Sequence, residues 1–110
     1  MIIVAGYDAS SSNLSPSVWA HAGGTYVVVD GKTIYQYALF GEKEGYHLAT
    51  IGVMCHELGH LMFSLPDLYD VDGSSHGIGY FDLMGEGASG CAYGEEWGSS
   101  PTHLSAWCKE

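Results

Sequence analysis

Basic residues are almost missing from this sequence: three Lys and Arg against 13 Asp and Glu, a formal net charge of −10 over 110 residues. A chain so short of cations cannot neutralise a run of phosphates, which argues against nucleic acid and against an anionic membrane as partners. Long apolar runs are missing too. No stretch reaches the roughly 18 consecutive apolar residues of a membrane-spanning helix. The opening run, Met1 to Tyr7, carries no basic residue and is too short for a leader, so it reads as neither a signal peptide nor a transit peptide. Cysteine is scarce and odd in number: Cys55, Cys91 and Cys108 leave at least one thiol without an internal partner. No two of them have CxxC spacing, which speaks against a cysteine-ligated zinc site. Cys55 is expected to be a buried free thiol, and Cys91 and Cys108 could bridge in an oxidising compartment.

The length suits a single domain spanning 1–110, and 46% hydrophobic residues are enough to build a modest core. Residues 2–5 form a short apolar, strand-like run. Residues 8–17 are rich in Ser, Asn and Pro and read as a loop. Residues 18–24 read as a short element ending at Gly23-Gly24. Thr25–Val29 and Lys32–Ala38 are β-branched and aromatic, and Asp30-Gly31 between them is a hairpin signal. From about Ala49 to Phe63, Ile51, Met54, Leu58, Leu61 and Met62 recur at helical spacing. Thr50 or a neighbour is the expected cap. Gly52 and Gly59 lower helix propensity, so their presence implies close packing against another backbone. Pro66 ends the helix. Residues 65–100 are glycine-punctuated and irregular, a length of loop that a small domain keeps for function. Ser100-Pro101 reads as the start of a last helix over about 101–109.

His56-Glu57-Leu58-Gly59-His60 is an HExxH sequence. On a helix, residues four apart share one face, so both imidazoles can reach one metal ion. Glu57 projects to the same side without needing to be a ligand. Zinc held there lowers the pKa of a bound water to about 7, and a neighbouring carboxylate can take its proton for attack on a peptide carbonyl. The bland alternative is a chance match on a helix with two hydrogen-bonded core histidines.

The residues after the motif are not random. The sequence continues through Leu65-Pro66-Asp67-Leu68-Tyr69-Asp70, then Asp72-Gly73-Ser74-Ser75, then Phe81-Asp82-Leu83-Met84, and ends with Ser100-Pro101-Thr102-His103-Leu104-Ser105-Ala106-Trp107. Together with HExxH and Ser17-Val18-Trp19-Ala20-His21, this pattern resembles the immune inhibitor A-like secreted metallopeptidases, a branch of the metzincins. The resemblance implies an α+β, metzincin-like zincin core. It would combine a small β-sheet with a hairpin packed on an HExxH helix, a long metal-braced loop with a Met-turn at Met84, and a C-terminal helix. It implies zinc held by His56, His60 and Asp67. Asp67 stands twelfth from His56 where the metzincin pattern has its ligand eleventh, so one extra residue near Phe63-Ser64 must be absorbed. His76 and Glu86 are competitors for the third position. The resemblance also implies secretion, a zymogen and further domains. None of these is visible in the sequence, which would make it an excised core or an unusually small member.

Asp70 and Asp72, in the acidic Gly73-containing loop, are candidates for calcium, or alternatively for Asx turns. His103 matches a family position with a structural hydrogen bond as its commonest use, and His21 and His47 read as structural or exposed. Tyr80 and Tyr93 lie in the glycine-rich segment near the expected cleft. The expected activity is zinc endopeptidase acting on peptide or protein substrates, with Glu57 as general base and acid. The rival readings are a non-catalytic metal-binding or interaction module and a zinc amidase acting on cell-wall peptides.

Overall fold

A computed structural model describes residues 1–110. The chain forms two compact units, residues 1–49 and residues 50–110. The first is a small mixed sheet and the second carries the one α-helix, an α+β composition as expected.

The sheet has five strands: β1 (Ile2–Asp8), β2 (Ser17–Val18), β3 (His21–Val29), β4 (Lys32–Glu44) and β5 (His47–Leu48). Their order is β2-β1-β4-β3, with β5 also paired to β4. β1 runs parallel to both β2 and β4, while β3 and β5 run antiparallel to β4. The Asp-Gly hairpin forms where the sequence places it. Asp30 and Gly31 take φ of 49° and 73°, the left-handed pair that matches the twist of the flanking strands.

The strands run further than their apolar patches. Gly23-Gly24 does not end an element. It pairs with Tyr37 and Gln36 inside β3, and a register shift follows before Val27. Glycine inside a strand commonly marks such an irregularity. β4 is a two-stranded arm with β3 as far as Gln36 and becomes internal where β1 joins at Leu39. Its exposure follows: Tyr35 is exposed, while Ala38 and Phe40 are buried.

The helix α1 spans Ile51–Phe63. Thr50 holds the N-cap position but makes no capping bond; its hydroxyl donates to the Trp97 carbonyl at 2.8 Å. Gly52 is there for space. A Cβ on it would lie 1.8 Å from the Ala88 carbonyl oxygen, and its N–H donates to Gly98 O at 2.9 Å. Gly59 makes room for a side chain rather than a backbone: a Cβ there would lie 2.6 Å from the Met84 sulphur.

The helix ends at Ser64, a left-handed residue with φ of 55°. Its N–H donates to His60 O at 3.0 Å, and the Leu65 N–H donates to Gly59 O at 3.4 Å. These bonds close the last turn at the position where the sequence expects an extra residue. The segment that follows is irregular apart from two short 3-10 turns, Gly79–Phe81 and Glu86–Ser89.

The expected C-terminal helix over 101–109 is absent. Only a 3-10 turn, Trp107–Lys109, forms there. The amides that a helix would use have other partners. Thr102 N–H donates to Gly87 O at 2.9 Å, and Ser105 N–H donates to Asp82 Oδ2 at 2.8 Å. Those bonds hold the segment against residues 82–87 in a non-helical conformation.

Candidate metal centre

The helical spacing brings His56 and His60 onto one face of α1, with ring centroids 4.8 Å apart and planes at 89°. The left-handed turn at Ser64 then reverses the chain, so that Leu65 and Asp67 return alongside the last helical turn. His60 Nδ1 lies 2.5 Å from Leu65 O. His56 Nδ1 lies 2.9 Å from Leu83 O, across from a different segment. A carbonyl can only accept, so each ring donates through Nδ1–H. A neutral imidazole with its proton on Nδ1 has a bare lone pair on Nε2.

Those two lone pairs face each other and Asp67. The Nε2 atoms are 3.2 Å apart, and Asp67 Oδ1 is 3.0 Å from His56 Nε2 and 3.1 Å from His60 Nε2. With each ring proton on Nδ1, three electron-pair donors converge on one point. A cation reconciles that arrangement. Two imidazole nitrogens and one carboxylate oxygen are a donor set that suits zinc, and three protein ligands leave a position open. The three candidate groups grade from buried to exposed: His56 is buried, His60 half-buried and Asp67 exposed, so the cluster opens to solvent on the Asp67 side.

His56, His60 and Asp67 are the only group of three or more His, Cys, Asp or Glu residues whose donor atoms gather closely enough to hold a metal. The two competitors for the third position are not brought in. His76 lies on an exposed loop, and Glu86 is exposed at the start of its 3-10 turn. Calcium at Asp70 and Asp72 is not supported. Asp70 accepts hydrogen bonds from the Ser75 and Asp72 amides and from the Ser74 hydroxyl, and Asp72 accepts one from the Ser74 amide. The two carboxylates build turns instead of meeting at a common point. The bonds from Ser75, followed by that from Asp72, hold the Asp70 carboxyl at about 2.

Met84 is fully buried, with its sulphur against Gly59 between the two histidines in sequence. Around it, Leu68 N–H donates to Met84 O at 2.8 Å and Ile78 N–H to Leu68 O at 3.0 Å. These bonds tie the Asp67 loop to the 82–84 turn. Glu57 is half-buried on the same helix.

Tyr69 was not singled out by the sequence reading. Its ring stacks on His56 at 6.2 Å between centroids and 25° between planes. Burial, then its hydrogen bond to Asp67 and the negative charge of Asp67 and Glu57, push the phenol up. Its place two residues after Asp67 was the available signal. Tyr80 instead lines a groove of about 430 Å³ with Cys91 and Trp97, and Tyr93 is fully exposed. His21 bonds to Tyr37 and Trp19, and exposed His103 lies by Leu104 O. All three cysteines are free: Cys91 is exposed, and Cys55 and Cys108 are half-buried.

The family model described as "Immune inhibitor A peptidase M6, catalytic domain" matches residues 5–110. Two curated relatives, each named pre-pro-metalloprotease PrtV, come from Vibrio cholerae serotype O1 strains M66-2 and ATCC 39315. Each is 31% identical over 105 residues, covering 86% of this chain and 11% of the relative. The chain thus spans about a ninth of the length of the curated relatives it matches. No solved structure matches the chain.

Proposed function

Since the chain belongs to the immune inhibitor A peptidase M6 family and is a metallopeptidase by that membership, we propose that it is a zinc-dependent endopeptidase with its catalytic centre on α1. The observation that carries this reading is the convergence of His56 Nε2, His60 Nε2 and Asp67 Oδ1. In it, these three atoms hold the metal, and the Leu83 and Leu65 carbonyls keep both rings in the tautomer that can bind. Met84 forms the apolar floor against Gly59, the role of a Met-turn. Zinc held by these residues would supply Lewis-acid polarisation of a substrate carbonyl and a lowered pKa for a water molecule.

The carboxylate of Glu57 acts as the base and then the acid. It takes a proton from the attacking water and delivers it to the amide nitrogen as the peptide bond breaks. Tyr69 shields His56 from water by lying over its ring. The exposed side of Asp67 is where an extended peptide has access to the reacting atoms.

The family match spans both compact units, which supports treating residues 1–110 as one catalytic core. The relatives' name, a pre-pro-metalloprotease, supports an exported enzyme acting on peptides or proteins. No helix of the chain is long and apolar enough to cross a membrane.

Glu57→Gln tests the reading. The amide keeps the size of the side chain but cannot take a proton. Hydrolysis of an unfolded protein substrate should fall by about 10²–10⁴-fold, the usual worth of a general base, while zinc remains bound at one equivalent. Undiminished cleavage by this variant would refute the assigned base. Loss of zinc together with activity would mean that Glu57 is a ligand instead.

A further inference from the structure

Asp82 is the only buried carboxylate in residues 50–110, and the chemistry above makes no use of it. Burying an anion without a cation is expensive unless hydrogen bonds replace its hydration. Here N–H donors do so, on both oxygens. Met84 N–H donates to Oδ1 at 2.7 Å, and Ser105 N–H donates to Oδ2 at 2.8 Å. The Asp82 carbonyl is engaged as well, accepting from Gly85 N–H at 3.0 Å and Gly87 N–H at 3.2 Å.

These bonds enclose the Leu83 peptide. Asp82 grips the chain on either side of Leu83, through its own backbone and through Met84 N–H. The Leu83 carbonyl between them accepts from His56 Nδ1 at 2.9 Å. An imidazole keeps its metal-binding nitrogen bare only while the other nitrogen holds the proton, and a hydrogen-bond partner decides which one does.

We propose that Asp82 is a positioning residue for the metal centre: by gripping the Met84 amide it aims the Leu83 carbonyl at His56 Nδ1, and so turns His56 Nε2 toward His60 and Asp67. The inference rests on the metal-centre reading given above. Its geometry also ties residues 102–108 to the site, since the same carboxylate holds Ser105.

Asp82→Asn is the test, on the full chain. An amide can accept on one side only, so either Met84 N–H or Ser105 N–H loses its partner. Zinc affinity, measured by competition with a chromophoric chelator, should fall about 10–100-fold, the usual cost of removing an outer partner of a metal ligand. The His56 Nδ1–H resonance should vanish or exchange faster in the folded, metal-free variant. A lower melting temperature with zinc affinity within twofold of the parent and an unchanged Nδ1–H resonance would reduce Asp82 to a brace and overturn the proposal.

If the variant does not fold, hydrogen exchange on the parent decides. Met84 N–H and His56 Nδ1–H should open together with the same protection, and independent opening would refute the coupling. A parent chain that binds no zinc would remove the metal centre itself. The Nδ1–H resonance would then still report whether Asp82 orients His56.

Discussion

At the scale of single residues, the sharpest constraint is space around α1. Gly52 faces the Ala88 carbonyl oxygen and the Gly98 Cα, backbone atoms that cannot swing aside. Alanine there gains about 1 kcal/mol of helix propensity but overpacks at a cost of about 1–3 kcal/mol. With the carbonyl only 1.8 Å from the new carbon, overpacking wins. Gly52→Ala should lower the urea midpoint, and a raised midpoint would show that the helix does not meet this backbone. Asp82 supplies the second residue-scale expectation. Burial pushes its carboxyl up, but the hydrogen bonds from Ser105 and Met84 together pull it below the ordinary value. A group depressed in the folded state stabilises fully above its unfolded pKa of about 3.9, and that contribution fades as pH falls through the folded value. Asp82→Asn should therefore flatten the loss of stability below about pH 4. Urea midpoints measured at pH 5 and at pH 3 check it: the parent should lose more than the variant over that interval.

At the scale of elements, the end of α1 decides whether Asp67 reaches the two histidines at all. Ser64 occupies a left-handed conformation that costs a side-chain-bearing residue roughly 1 kcal/mol and glycine almost nothing. Ser64→Gly should raise thermal stability by about 0.5–1 kcal/mol without disturbing the Leu65–Asp67 return. Differential scanning calorimetry would register this, and a destabilised variant would mean that Ser64 has a side-chain role the turn does not explain. The C-terminal segment shows the opposite balance. Ser100-Pro101 is a sound helix start, yet a nine-residue helix is marginal by itself. The bonds from Thr102 to Gly87 and from Ser105 to Asp82 outweigh that local preference.

At the scale of the whole molecule, the proposed centre predicts that metal binding and folding are linked. Three electron-rich atoms within about 3 Å of one another repel until a cation joins them. Zinc held at 100 times its dissociation constant should add about 2.7 kcal/mol of stability. Melting in the presence and absence of a strong chelator measures that shift, and a melting temperature indifferent to zinc would count against the centre. Imidazole ligands must be neutral to bind, so both the zinc-dependent shift and the hydrolysis of substrate should disappear together as the solution is made acidic. An acid-insensitive activity would point to other ligands. The net charge of −10 also predicts that added salt stabilises the fold by screening self-repulsion.

What the sequence determined alone is what depends on neighbours a few residues apart. The Asp30-Gly31 turn, the α1 helix and the shared face of His56 and His60 follow from short-range geometry, and each stands where the pattern puts it. Tertiary structure decided the rest, because it depends on which distant group satisfies a donor or fills a space. Asp67 joins the two histidines while His76 and Glu86 stay away because the Ser64 turn and the bond from Leu68 to Met84 bring back one loop and not another. Tyr69 reaches His56 on that same loop, and residues 101–105 lose their helix to carbonyl and carboxylate acceptors some 15 to 23 positions earlier. Local periodicity carries no record of such pairings, since the free energy that selects them arises only when separate segments are packed together and water is excluded from between them.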